Sequence, residues 1–139
     1  MAMKDILLDT NAYAAFKQGQ AEIVDIVRRA SRIGINSVIV GELLAGFAAG
    51  SRQAKNRSEL QQFLAAHRVV LLTLDEVTAD YYATVYSNLR SKGRPIPTND
   101  MWIAASALQH GFAVCTKDGH FKHVDGILVG ATTAELLLQ

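Results

Sequence analysis

Cysteine is almost absent from this 139-residue chain. The one copy, Cys115, rules out an internal disulfide framework and a cysteine-built zinc site. Proline is nearly as scarce, with Pro95 and Pro97 both in one loop, so little else in the chain is barred from regular structure. No charge of one sign dominates. Fourteen Lys and Arg against 13 Asp and Glu leave +1, which gives no bulk signal of a nucleic-acid binder. No apolar run approaches the roughly 18 residues that a membrane span requires. Asp5 stands where a signal peptide would place its apolar segment. Charged residues are few, at 19%, and hydrophobic ones make up 50%, which is too apolar for a disordered segment and enough for one sizeable core. These readings predict a single domain over residues 1–139, soluble, cytoplasmic and without a membrane partner.

What is present is an alternation of short apolar runs and helical patterns. Ile6-Leu7-Leu8, Ile33-Gly34-Ile35-Asn36, Val69-Val70-Leu71-Leu72, Phe112-Ala113-Val114-Cys115 and Ile127-Leu128-Val129 read as strands. Helices are expected from near Asn11, over 21–30, from a Ser37 cap to about Ala49, over 53–66, over 78–91 with Gly93 as its stop, and from Pro97-Thr98-Asn99-Asp100 to His110-Gly111. Continuous apolar strands separated by helices predict an α/β fold in three layers, with a central parallel sheet of about five short strands and helices on both faces.

Four acids fall at one edge of such a sheet. Asp9 follows the first strand and Asp118 lies just past Cys115, so both project from the carboxyl edge, where open α/β sheets place their sites. Asp100 opens the helix leading into the Phe112–Cys115 strand. Glu42 lies little more than one turn into the helix after Ile33–Asn36. Glu42 is the most informative of the four. Its neighbours, Val38 to Gly41 and Leu43 to Phe47, read as a core helix with no Lys or Arg within a turn. A carboxylate buried there needs a partner, and a bound cation is a natural one. Clustered carboxylates repel unless a hard cation neutralises them, and oxygen-only donors suit Mg2+ or Mn2+. Such a centre can activate water for attack on a phosphodiester.

Taken singly, these residues have plainer readings: Asp9 as a helix cap, Asp100 as a charge on a helix dipole, Asp118-Gly119 as a turn. Four segments together resemble the PIN-domain nucleases, and among them the VapC-type toxins of toxin–antitoxin pairs. They are Leu7-Leu8-Asp9-Thr10-Asn11, Val40-Gly41-Glu42-Leu43, Asn99-Asp100-Met101-Trp102-Ile103-Ala104-Ala105 and Thr116-Lys117-Asp118-Gly119-His120-Phe121. The resemblance implies a metal-dependent endoribonuclease. Asp9, Glu42, Asp100 and Asp118 would hold the metal or activate the water, with Thr10, Asn11 and Thr116 in support. It also implies an RNA substrate, a homodimer, a cognate antitoxin, and DNA contact only through that antitoxin. Some PIN domains act instead in RNA processing.

With the four acids set aside, nine acids remain against 14 bases, a net +5 that could hold an RNA backbone. Arg90, Lys92, Arg94 and Lys117 are the candidate contacts. Arg52, Lys55 and Arg57 read as a solvated face, Cys115 as an inert core thiol and Trp102 as packing, while His120 and His123 have a ligand-like spacing but read as surface residues. Tyr13 and Phe16 fit either the core or a partner groove. A haloacid-dehalogenase-type phosphatase would need a second Asp where Asn11 stands, and a response-regulator receiver an early acidic pair that Asp5 and Asp9, four apart, do not make. A non-enzymatic module that only binds an antitoxin is the remaining alternative.

Overall fold

The computed structural model describes residues 4–136. Five strands, β1 (Ile6–Leu8), β2 (Ile33–Asn36), β3 (Val69–Leu72), β4 (Ala113–Cys115) and β5 (Val129–Gly130), form one parallel sheet in the order β3-β2-β1-β4-β5. In a strand, successive side chains point to opposite faces. Ile6, Leu7 and Leu8 are nonetheless all 0% exposed, so helices cover the sheet on both sides. This is why the inner strands read as unbroken apolar runs rather than as alternations.

The helices are α1 (Thr10–Lys17), α2 (Ala21–Arg29), α3 (Ser37–Ala49), α4 (Gln53–Leu64), α5 (Glu76–Lys92), α6 (Thr98–His110) and a short α7 (Thr133–Leu136), with one 3-10 turn over Gly119–His123. The expected Ser37 cap moves back one residue: Asn36 caps α3, its Oδ1 accepting from the Ile39 N–H at 2.9 Å. Its amide donates to Ser106 in α6, tying the end of β2 to that helix in a fully buried contact. The helix expected from Thr78 starts earlier, because Asp75 and Thr78 form a reciprocal capping box. Gly93 closes it in the left-handed region at φ 65°, as expected. The last strand also shifts, to Val129–Gly130, and α7 and the 3-10 turn were not foreseen.

The reading of α3 as a helix buried all round is corrected by the structure. Ile39 and Leu43 are buried, but Gly41, Ala45, Gly46, Ala48 and Ala49 are exposed and Glu42 is only half-buried. An apolar sequence marks a helix as insertable without saying how many sides are covered.

From β1 the chain steps outward to β2 and β3 on one side; β4 and β5 fill the other side. The order therefore reverses between β1 and β4, and a crevice opens beyond their carboxyl ends. Asp9 directly follows β1 and Thr116 directly follows β4.

Candidate active site

The crevice has a volume of about 310 Å3 and is lined by Asp9, Glu42, Asp100 and Asp118 together with Thr10, Asn11, Ala14, Leu43 and Gly46. Four acids that span 110 positions of sequence thus share one wall-to-wall space. Each arrives by a local device. Asp9 caps α1, its Oδ1 accepting from the Thr10 N–H at 2.8 Å. Asp118 caps the 3-10 turn by accepting from the His120 N–H at 2.9 Å. Asp100 sits in the first turn of α6, where the N-terminal dipole favours an anion. The plain capping roles are therefore compatible with a place on the crevice wall, since the capping carboxylates of Asp9 and Asp118 both line it.

Thr116 is the hub of the supporting shell. Its buried hydroxyl donates to Asp9 Oδ2 at 2.8 Å and accepts from Asn11 Nδ2 at 3.1 Å and from the Asp118 N–H at 3.0 Å. Asn11 also reaches Asp9 Oδ2 at 3.3 Å and accepts from the Lys117 N–H at 2.9 Å. Thr10 donates its hydroxyl to Glu42 Oε1 at 2.6 Å, and Asn99 donates its amide to Glu42 Oε2 at 3.3 Å. Thr10, Asn11 and Thr116 thus each donate a hydrogen bond to one of the acids.

Two neighbours were missed. Asn99 is one residue before Asp100 in the quoted motif, and its link to Glu42 crosses 57 positions. His120 had been read as a surface residue. Its Nδ1 lies 2.9 Å from Asp100 Oδ2 and 3.0 Å from Asp118 Oδ1. The signal in the sequence is its ligand-like spacing from His123, and that spacing equally suits surface residues.

Burial and mutual repulsion shape the electrostatics. Asp9 is 4% exposed, and its carboxyl is pushed up to about 6, chiefly by desolvation, against the pull of the Thr116 and Thr10 bonds and with a further push from Asp100 and Glu42. Asp100 is also raised by desolvation, a shift that the His120 bond counters and that Asp118 and Glu42 reinforce. His120 is raised in turn, first by its hydrogen bond to Asp100. Among the described residues, no Lys or Arg bonds to any of the four carboxylates. Asp100, Asp118 and His120 offer donor atoms within 4.8 Å of one another. A converging set of carboxylates with no Lys or Arg bonded to it fits a divalent cation.

The candidate RNA contacts are not gathered into one patch. Lys92 is bound to Asp125 and to the His123 carbonyl, 3.0 Å away. Lys117 is held by Gln20. Arg90 and Arg94 are exposed at the end of α5 and the loop after it, and Arg90 borders a separate cleft with Tyr86, Pro95 and Met101. Tyr13 is buried and packs edge-on against Phe63, with Phe16 beside them. Trp102 stacks on Tyr82 at 4.2 Å, in keeping with a packing role. Cys115 is fully buried and its thiol is pushed up to about 12 by desolvation, so it is inert.

The PIN-domain family pattern matches residues 6–127, the stretch that carries all four acids. The chain belongs to the PIN-domain family. This PIN domain is 33% identical over 123 residues to the plasmid stability protein StbB of Pseudomonas syringae, covering 81% of this chain and 87% of that one. It is 34% identical over 88 residues to ribonuclease VapC4 of Mycobacterium tuberculosis, covering 63% of this chain and 68% of the relative. Among solved structures, DNA-bound VapBC from Salmonella typhimurium aligns with a TM-score of 0.79 at 26% identity, over 91% of this chain and 97% of that one. No helix among the described residues is long and apolar enough to cross a membrane.

Proposed function

We propose that this PIN domain is the toxin of a toxin–antitoxin pair and hydrolyses RNA phosphodiester bonds as a divalent-metal-dependent endoribonuclease, working as a single domain over residues 1–139 in the cytoplasm. The observation that carries the reading is the convergence of Asp9, Glu42, Asp100 and Asp118 on one crevice where, among the described residues, no Lys or Arg is bonded to any of them and His120 meets only Asp100 and Asp118. The names of the relatives, ribonuclease VapC4 and plasmid stability protein StbB, point the same way, as does the VapBC complex.

Asp9, Asp100 and Asp118 would hold Mg2+ or Mn2+, with Glu42 as a further ligand or as the group that orients the attacking water. Bound there, the ion supplies an activated water and offsets charge on the phosphoryl oxygens. The chain's own residues do the positioning. Thr116 and Asn11 fix the Asp9 carboxylate against rotation, and Thr10 and Asn99 hold Glu42 from both of its oxygens. Ala14 and Gly46 on the crevice wall leave room for a nucleotide backbone. Arg90 and Arg94 are the exposed bases best placed to meet phosphates beyond the crevice; Lys92 and Lys117 would first have to leave Asp125 and Gln20. The reading includes a homodimer and a cognate antitoxin that inhibits the chain and carries any DNA contact.

The test is incubation of antitoxin-free protein with total RNA and Mn2+ or Mg2+, with EDTA and Glu42→Gln as controls. Discrete fragments that disappear in both controls are expected. A folded, metal-loaded protein that leaves all RNA intact would overturn the nuclease reading, and retained antitoxin binding would then point to a pure binding module.

A further inference from the structure

The site acids are all oxygen donors, yet a nitrogen sits among them. His120 Nδ1 lies 2.9 Å from Asp100 Oδ2 and 3.0 Å from Asp118 Oδ1. Adjacent ligands around an octahedral ion with bonds of about 2.0–2.1 Å stand about 3 Å apart. The nitrogen therefore stands from each of the two oxygens at the spacing of neighbouring positions on such an ion, and the three donor atoms all lie within 4.8 Å of one another. The imidazole is kept there by the chain. The His120 N–H is tied to Asp118 Oδ1 at 2.9 Å, and the next residue, Phe121, anchors the 3-10 turn with 0% exposure. The ring itself is half exposed, on the open side of two carboxylates that are themselves 13% and 30% exposed.

We propose that His120 Nδ1 is a metal ligand, which makes this centre a mixed nitrogen–oxygen site selective for Mn2+ over Mg2+. The inference rests on the reading that the four carboxylates hold a divalent ion. Mg2+ is hard, prefers oxygen and keeps its waters, so a nitrogen donor adds little for it. Imidazole is a good donor to first-row transition ions, and affinity for such sites climbs from Mn2+ along the series. A site made of carboxylates alone would discriminate weakly between the two ions; one imidazole shifts the balance.

The competing role for His120 is that of a hydrogen-bonding counter-group that swings aside when an ion enters. The two roles separate by spectroscopy. EDTA-stripped, antitoxin-free protein is titrated calorimetrically with Mn2+ and with Mg2+ near pH 8, where an ordinary histidine is neutral. Wild type, His120→Asn and Asp118→Asn are compared, with circular dichroism to verify folding. The Mn2+-loaded samples are examined by pulsed electron paramagnetic resonance for coupling to a directly bound nitrogen. Wild type is expected to show that coupling and to prefer Mn2+. In His120→Asn the coupling vanishes and Mn2+ affinity falls at least about tenfold, while Mg2+ affinity changes far less. An unchanged Mn2+-to-Mg2+ ratio in His120→Asn, with no nitrogen coupling in wild type, would overturn the role of His120 alone, provided that Mn2+ binding is saturable and weakened in Asp118→Asn. Absence of saturable Mn2+ binding by wild type would overturn both this inference and the reading beneath it.

Discussion

Replacing Asp9 with Asn should make the metal-free protein more stable at neutral pH, although it removes a residue on which the site depends. Asp9 is 4% exposed, and burial, with Asp100 and Glu42 adding to it, pushes its carboxyl from 3.8 to about 6. A carboxyl with a higher pKa in the folded than in the unfolded chain binds more protons when folded. Stability then falls as pH rises between about 4 and about 6 and stays lower above that window. Two pH units correspond to about 3 kcal/mol of cost for the ionised group. Asn removes that cost. Its single oxygen still accepts from the Thr10 N–H, but the amide that replaces Oδ2 can accept from neither the Thr116 hydroxyl nor the Asn11 amide, so two hydrogen bonds worth about 1 kcal/mol each are lost. The net gain is about 1 kcal/mol at pH 7.5, a rise in Tm on the order of 3–5 °C for a chain of this size. Urea and thermal unfolding in EDTA across pH 4.5 to 8 measure it. The gap between variant and wild type should open between pH 4 and pH 6. Added Mn2+ should reverse the order, since wild type alone keeps the full donor set. A variant less stable than wild type at pH 7.5 in EDTA, or a gap that ignores pH, would refute the reasoning.

Thr116→Val removes the hydroxyl that joins Asp9, Asn11 and the Asp118 N–H, and should cost about 2–3 kcal/mol in urea unfolding; Thr116→Ser should recover most of it. Gly46→Ala meets no atom within 4 Å on an exposed helix position and should stabilise by about 0.5–1 kcal/mol, read as a higher urea midpoint. Gly34→Ala places a methyl 2.8 Å and 2.9 Å from ring atoms of Phe112 and 3.1 Å from Leu72, so melts should show a loss of about 1–3 kcal/mol. His120 should titrate above 6.5 by NMR in EDTA and return toward that value in Asp100→Asn. Its bond to Asp100 therefore supports the fold at low pH, and that support fades as pH rises through the raised value.

The strands were legible because a sheet covered on both faces needs every side chain apolar, and β1, β2 and β3 have the expected bounds. Their order also made the acids legible, since parallel strands bring their carboxyl ends to one edge whatever their separation in sequence. Helix starts were less legible where two cap formers compete. Asn36 and Ser37 are adjacent and either can cap, and Asp75 reaches over two positions to Thr78. Exposure of α3 was not legible, because an apolar helix face looks the same whether or not anything covers it. His120 and Asn99 could not be assigned from their own neighbourhoods. Their partners, Asp100 and Glu42, lie 20 and 57 positions away and meet them only in the folded chain. For the same reason, Lys92 looked free until its helix end was placed beside Asp125.

The position of β4 between β1 and β5 governs what a growing chain can do on the ribosome. The first 100 or so residues can assemble β3, β2 and β1 with their helices, but β1 then ends the sheet, with the backbone groups that face β4 left unpaired. Thr116 and Asp118 follow β4 and so emerge after all of these elements. A nascent chain thus lacks the full set of four crevice acids until β4 is in place beside β1. In the meantime it carries an apolar edge open to pairing with other chains. The strand that completes the crevice is the one that satisfies that open edge of β1, so the site and the pairing form together.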